Sequence, residues 1–110
     1  MNIMKYNICL IGSGYWGRNY IKLLQSMNDM FNFVGIVEKS ERIKKDLQDK
    51  YNITVFNDID DTFKLCDCYI IATPVSTHFD LAKKCLENNK NIMVEKPLTD
   101  SFEKTKILTD

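Results

Sequence analysis

Short apolar runs along this chain alternate with segments whose apolar residues recur every three or four positions. Residues 6–11 (YNICLI) predict a buried strand that Gly12 ends. Over 14–27, Ile21, Leu24 and Met27 fall at helical spacing, with Tyr20 and Leu23 beside them, and predict a helix. Residues 32–38 (NFVGIVE) predict a second strand. Ser40 predicts the cap of a helix over 41–51, with Ile43, Leu47 and Tyr51 on one face. Residues 53–56 (ITVF) predict a short third strand, and Asp58 opens a helical stretch to about residue 65. Residues 68–73 (CYIIAT) predict a fourth strand, which Pro74 stops. Ser76 predicts the cap of a helix to about residue 88, with His78, Ala82, Cys85 and Leu86 on one side. Residues 91–95 (NIMVE) predict a fifth strand. Asp100 with Glu103 reads as a capping box for a last helix.

Strands alternating with helices imply a parallel sheet with right-handed crossovers and helices on both faces. The strands are apolar throughout, as strands covered on both sides must be. The expected architecture is a doubly wound α/β sheet of five strands in the order 3-2-1-4-5. Strand five would then be an edge, where a second copy could pair to form a homo-oligomer. No repeat, linker or low-complexity stretch interrupts the 110 residues, so a single domain over 1–110 is expected, ending before the usual sixth strand.

Composition narrows the function. Basic and acidic residues balance at 15 each and only Arg18 and Arg42 are arginines, so the footprint of a nucleic-acid binder is missing. The first 55 residues carry 8 basic and 5 acidic side chains and the rest 7 and 10, too mild a split to imply a polyanion partner. No apolar run approaches the roughly 20 residues of a membrane span, and no leader pattern opens the chain. Cys9, Cys66, Cys68 and Cys85 form no zinc-type spacing. Cys9 and Cys85 read as small core residues, and plain reduced thiols point to the cytoplasm. Asp58, Asp60, Asp61 and Asp67 are better read as a cap and solvated charge than as metal ligands, so no metal is expected.

Gly12-Ser13-Gly14-Tyr15-Trp16-Gly17 is G-x-G-x-x-G, placed between a predicted strand and a predicted helix. Gly12 would permit the tight turn, Gly14 the approach of a pyrophosphate, and Gly17 the contact of helix with strand. The free N–H groups and positive end of the helix would face the phosphates. Glu38 follows 21 residues after Gly17 at the end of strand two, where its carboxylate would accept from the adenosine ribose hydroxyls and repel a 2′-phosphate. NAD is therefore favoured over NADP, with Lys39 and Arg42 near enough to soften the preference. A structural glycine turn with a solvated Glu38 is the bland alternative. S-adenosylmethionine sites share the Gly-rich turn and the acid, but the third glycine and the downstream motifs argue against one.

Two further segments fall at strand ends: Ala72-Thr73-Pro74-Val75-Ser76-Thr77-His78 and Glu95-Lys96-Pro97. With GSGYWGRN, ATPVSTHF and VEKPL in this order, the chain resembles the N-terminal Rossmann domain of the Gfo/Idh/MocA oxidoreductases along its whole length. The run Tyr15-Trp16-Gly17-Arg18-Asn19 looks most like members acting on nucleotide-linked sugars, such as UDP-N-acetyl-hexosamine 3-dehydrogenases. The resemblance implies that Gly12, Gly14, Gly17, Tyr15 and Trp16 meet the pyrophosphate region. Glu38 would hold the adenosine ribose, while Thr73, Pro74 and His78 flank the nicotinamide half. Glu95 would contact the nicotinamide ribose, and Lys96 would be the catalytic lysine as well as a cofactor contact. For His78 a capping or core-edge role competes with that assignment, and for Lys96 a solvated surface position does.

The family's second α/β domain, which supplies the substrate wall, is not in this sequence. Three functions follow as expectations. The chain is the cofactor half of an NAD-dependent oxidoreductase for a sugar or nucleotide sugar, without turnover by itself. Or it is a stand-alone NAD(H)-binding module completed by a partner chain. Or it is a non-catalytic dinucleotide sensor.

Overall fold

The computed structural model describes residues 6–27, 29–94 and 101–109, except for the side chains of Tyr15, Trp16 and Phe102. Five parallel strands run β1 (Tyr6–Ile11), β2 (Phe31–Val37), β3 (Val55–Phe56), β4 (Cys68–Ile71) and β5 (Asn91–Val94). They pair in the order β3-β2-β1-β4-β5, as the alternation predicts. Four α-helices join or follow them: α1 (Tyr15–Ser26), α2 (Glu41–Tyr51), α3 (His78–Glu87) and α4 (Phe102–Thr109).

The two sides of β1 feed two cores. Cys9 and Ile11 point into one, with Val37, Ile59, Cys66, Tyr69, Ile71 and the α3 residues Ala82 and Cys85. Ile8 and Leu10 point into the other, with Ile21 and Leu24 of α1, Leu47 of α2, Ile36 and Ile70. Leu23 of α1 is half exposed. Met93 pairs with Ile70 in the sheet register and is also half exposed, beside an apolar cleft of about 330 Å³ lined in part by Leu23, Ile70 and Met93. No disulfide forms among the cysteines; Cys9, Cys66 and Cys85 are buried thiols and Cys68 is partly covered. Burial pushes the Cys85 thiol up to about 11. Contact with the Cys66 sulfur and burial raise Cys9 as well.

One cap differs from expectation. Ser40 does cap α2, accepting from the Ile43 N–H at 3.4 Å. Ser76 caps nothing, because Val75–Thr77 form a short 3-10 helix that carries the chain from Pro74 directly into α3. Proline at the 3-10 helix N-cap fixes its φ at −56° and sets that path. At α4 the cap is Ser101, whose hydroxyl accepts from the Lys104 N–H at 3.1 Å; Asp100 lies outside the described residues. β3 is two residues rather than four, and the helical stretch after Asp58 is a 3-10 helix over Ile59–Thr62. The Asp58 carboxylate accepts from the Asp60 N–H at 3.0 Å, so it is a cap as expected.

β2 carries a bulge that the periodicity does not reveal. The register runs Ile8 with Phe33 and then Cys9 with Gly35, leaving Val34 as the extra residue. A Cβ on Gly35 would stand 2.5 Å from the Thr54 carbonyl oxygen, so the close approach of the chain entering β3 requires glycine.

Candidate cofactor site

A cleft of about 860 Å³ opens where β1, β2 and β4 end. Sheet topology puts it there: β1 continues toward β2 on one side and β4 on the other, and the diverging connections leave a crevice at that switch point. Gly12, Ser13 and Gly14 form one wall, Glu38 and Lys39 another, and Thr73 and Pro74 the third.

Each glycine of the motif has its own reason. Gly12 has φ +112°, and a Cβ there would lie 2.4 Å from the Ala72 carbonyl oxygen. A Cβ on Gly17 would lie 2.4 Å from the Gly12 carbonyl oxygen, so α1 presses on the turn. Gly14 has φ −70°, which any residue can adopt, and nothing lies within 4 Å of where its Cβ would project. The protein's own packing makes no demand for glycine at 14 and leaves the space beside it open. α1 starts at that point with no side-chain cap and no acidic residue in its first turn. Its first N–H groups are thus left for an anion. α2 is the contrast, with Ser40 as cap and Glu41 in the first turn.

Glu38 is fixed rather than solvated. Oε2 accepts from the Lys39 N–H at 2.9 Å and the Ser40 N–H at 3.2 Å. The Ser13 hydroxyl donates to Oε1. Ser13 is itself tethered: its carbonyl accepts from Arg18 Nε at 3.2 Å, and Arg18 Nη2 lies 3.0 Å from Asp46 Oδ2 on α2. These donors and the open space at Gly14 fit a dinucleotide, with the diphosphate at the helix end and the ribose at Glu38.

Residues 6–110 match the family described as oxidoreductase, NAD-binding Rossmann fold, Gfo/Idh/MocA. The chain belongs to this family. NAD is its cofactor, and the 3-2-1-4-5 sheet is the family's Rossmann domain. The chain is 52% identical over 44 residues (40% of its length) to the scyllo-inositol 2-dehydrogenase (NAD(+)) of Bacillus subtilis and spans 13% of that protein. It is 30% identical over 99 residues (88%) to the 2,7-anhydro-N-acetylneuraminate hydratase of Escherichia coli and spans 26% of it. Its fold matches the UDP-N-acetylglucosamine 3-dehydrogenase of Acidithiobacillus ferrooxidans with a TM-score of 0.86 at 21% identity. That match covers 97% of this chain and 34% of the other. The WlbA dehydrogenase of Bordetella pertussis, solved with NADH and UDP-GlcNAcA, matches with a TM-score of 0.87 at 20% identity, covering 96% and 34%. The chain spans about a third or less of the length of each of these relatives.

The candidates of this Rossmann domain separate into four groups. Gly12, Gly14, Glu38, Thr73 and Pro74 line the cleft. Gly17 lies beneath it, and Tyr15 and Trp16 begin α1. His78 is 1% exposed, and its Nε2 lies 2.8 Å from the Thr73 carbonyl. A carbonyl can only accept, so Nε2 carries the hydrogen and the ring braces the loop from behind. Glu95, Lys96 and Pro97 lie outside the described residues. Sequence reasoning missed Ser13 and Arg18. Ser13 sits at a motif position open to any residue, and the Arg18–Asp46 pair joins two helices far apart in sequence. Among the described residues no cluster of His, Cys, Asp and Glu could hold a metal, and no helix is long and apolar enough to cross a membrane.

Proposed function

We propose that this chain is the NAD-binding half of an oxidoreductase that moves a hydride between a hydroxyl-bearing carbon of a sugar or nucleotide sugar and nicotinamide. What carries the reading is the convergence on one cleft of an uncapped helix N-terminus, open space at Gly14 and the anchored Glu38. The names of the relatives, which include an inositol and a nucleotide-sugar dehydrogenase, supply the substrate class.

In this reading the N–H groups at the start of α1 hold the diphosphate, with Gly12 and Gly17 shaping the turn and Tyr15 and Trp16 bordering it. Glu38 takes the adenosine ribose and disfavours a 2′-phosphate. Thr73 and Pro74 flank the nicotinamide end, with His78 bracing the Thr73 backbone. Glu95 contacts the nicotinamide ribose. NAD supplies the hydride acceptor. Lys96 is the catalytic residue: as a neutral amine it takes the substrate hydroxyl proton, and as an ammonium it steadies the developing alkoxide. A second domain or partner chain provides the substrate wall and excludes water, without which turnover is negligible. Exposed Leu23 and Met93 on the α1 face favour a partner chain as a second reading, and the β5 edge would serve a homo-oligomer.

Titration of the 110-residue chain with NADH, followed by nicotinamide fluorescence, tests this directly. Saturable binding without turnover is expected, tighter than for NADPH. Failure of both dinucleotides to bind at millimolar concentration overturns the reading. Restoration of turnover by a separate polypeptide selects the partner-chain form. Lys96→Ala, in a protein with both domains, should lower the rate far more than NADH affinity; equal rates return Lys96 to a surface position.

A further inference from the structure

We infer that Ser13 is a second ligand of the adenosine ribose, held in place by Arg18; the inference rests on the NAD reading above. A carboxylate offers about four acceptor positions. At Glu38 the two on Oε2 are taken by the Lys39 and Ser40 N–H groups, and one on Oε1 is taken by the Ser13 hydroxyl. One position is left, while the ribose diol brings two donors. The second hydroxyl must either displace Ser13 or bond to it. Ser13 is poorly free to leave, because its carbonyl is held by Arg18 Nε and Arg18 is held in turn by Asp46. Its Oγ, while donating to Glu38, keeps lone pairs that can accept. In this assignment the 3′-hydroxyl donates to Glu38 Oε1 and the 2′-hydroxyl to Ser13 Oγ. The pair is formed before ligand arrives, so binding need not order it. Arg18 acts through Ser13 and is a positioning residue. The guanidinium reaches Ser13 through Nε and α2 through Nη2, a fork of two nitrogens that a single ammonium nitrogen does not reproduce.

The test is NADH and NADPH titration of Ser13→Ala, Ser13→Thr, Arg18→Gln and Arg18→Lys, with thermal unfolding as the control for fold. Ser13→Ala should weaken NADH about 3- to 10-fold, the worth of one neutral hydrogen bond. It should weaken NADPH less, because there the 2′-hydroxyl is phosphorylated, so the preference for NADH narrows. Ser13→Thr should restore most of the NADH affinity. Arg18→Lys should lose as much as Arg18→Gln. Unchanged or tighter NADH binding by Ser13→Ala shows that the hydroxyl competes with the ribose and overturns the inference. Equal losses for NADH and NADPH reduce Ser13 to a loop residue and overturn it as well. Recovery in Arg18→Lys assigns Arg18 a charge role and removes its placement of Ser13. If the unchanged chain binds neither dinucleotide, the NAD reading falls and takes this inference with it; if the unchanged chain binds and Ser13→Ala binds equally, this inference falls alone.

Discussion

The base and the tip of the glycine turn differ in what they require. At the base, Gly12 and Gly17 are forced by the protein's own backbone, with Cβ positions 2.4 Å from carbonyl oxygens. At the tip, Gly14 has ordinary φ and an empty neighbourhood. A single motif thus contains residues fixed by folding and a residue that the protein's own packing leaves open. Substitution should separate stability from affinity within six positions.

The largest effect belongs to the base. Gly12→Ala combines left-handed strain with a backbone collision and should cost about 3 kcal/mol or more, read as a drop in the urea midpoint. A normal midpoint would mean that the turn can re-form and that the base is no stiffer than the tip. Next comes Gly14→Val. Its urea midpoint should stay within about 0.5 kcal/mol of the unchanged chain, the usual range for a surface position. Its NADH affinity should fall at least about 10-fold, because the side chain fills the space left for the diphosphate. Unchanged affinity would remove the diphosphate from the tip. Glu38→Ala should lower NADH affinity about 10-fold, the lower range for charge-assisted hydrogen bonds, and narrow the gap to NADPH. A wider gap would move the ribose elsewhere. Gly17→Ala gains up to about 1 kcal/mol in helix propensity but must push α1 off the turn, so a net loss of about 1 kcal/mol is expected. A gain in stability would mean that α1 does not press on the base.

A pH profile checks the core under the base. Cys85 ionises near 9.0 when unfolded and only at about 11 when buried. Between those values the unfolded chain gives up a proton that the folded chain keeps. Stability should therefore be full below pH 9 and decline as pH rises toward 11, seen as a falling urea midpoint. A flat profile would show that the thiol is reached by water.

The alternation of apolar runs made β1, α1, α2 and the strand order legible, because each buries a face whose period matches its geometry. Glu38 was legible from its distance to the glycines. Contacts between polar side chains distant in sequence were not. Ser13 meets Glu38, and Arg18 meets Asp46, only because β1, β2, α1 and α2 are packed side by side. The Ser76 cap failed because a local rule was applied where Pro74 imposed a different path. His78 carried both readings in sequence; its burial and its contact with the Thr73 carbonyl favour the bracing one.

The bulge at Val34 acts as a phase shifter. Phe33 and Ile36 share one face of the sheet while Val34 and Val37 share the other, an assignment that strict odd-even alternation forbids. Were the strand regular at its present length, everything after Val34 would turn over: Ile36 and Val37 would trade cores, and the acid at the strand's end would leave on the wrong side. The placement of Glu38 thus depends on how β2 absorbs one extra residue: deleting Val34 should give a regular strand with Ile36, Val37 and Glu38 on their present sides and NADH affinity kept, and a loss as severe as that of Glu38→Ala would show that the bulge itself shapes the cleft.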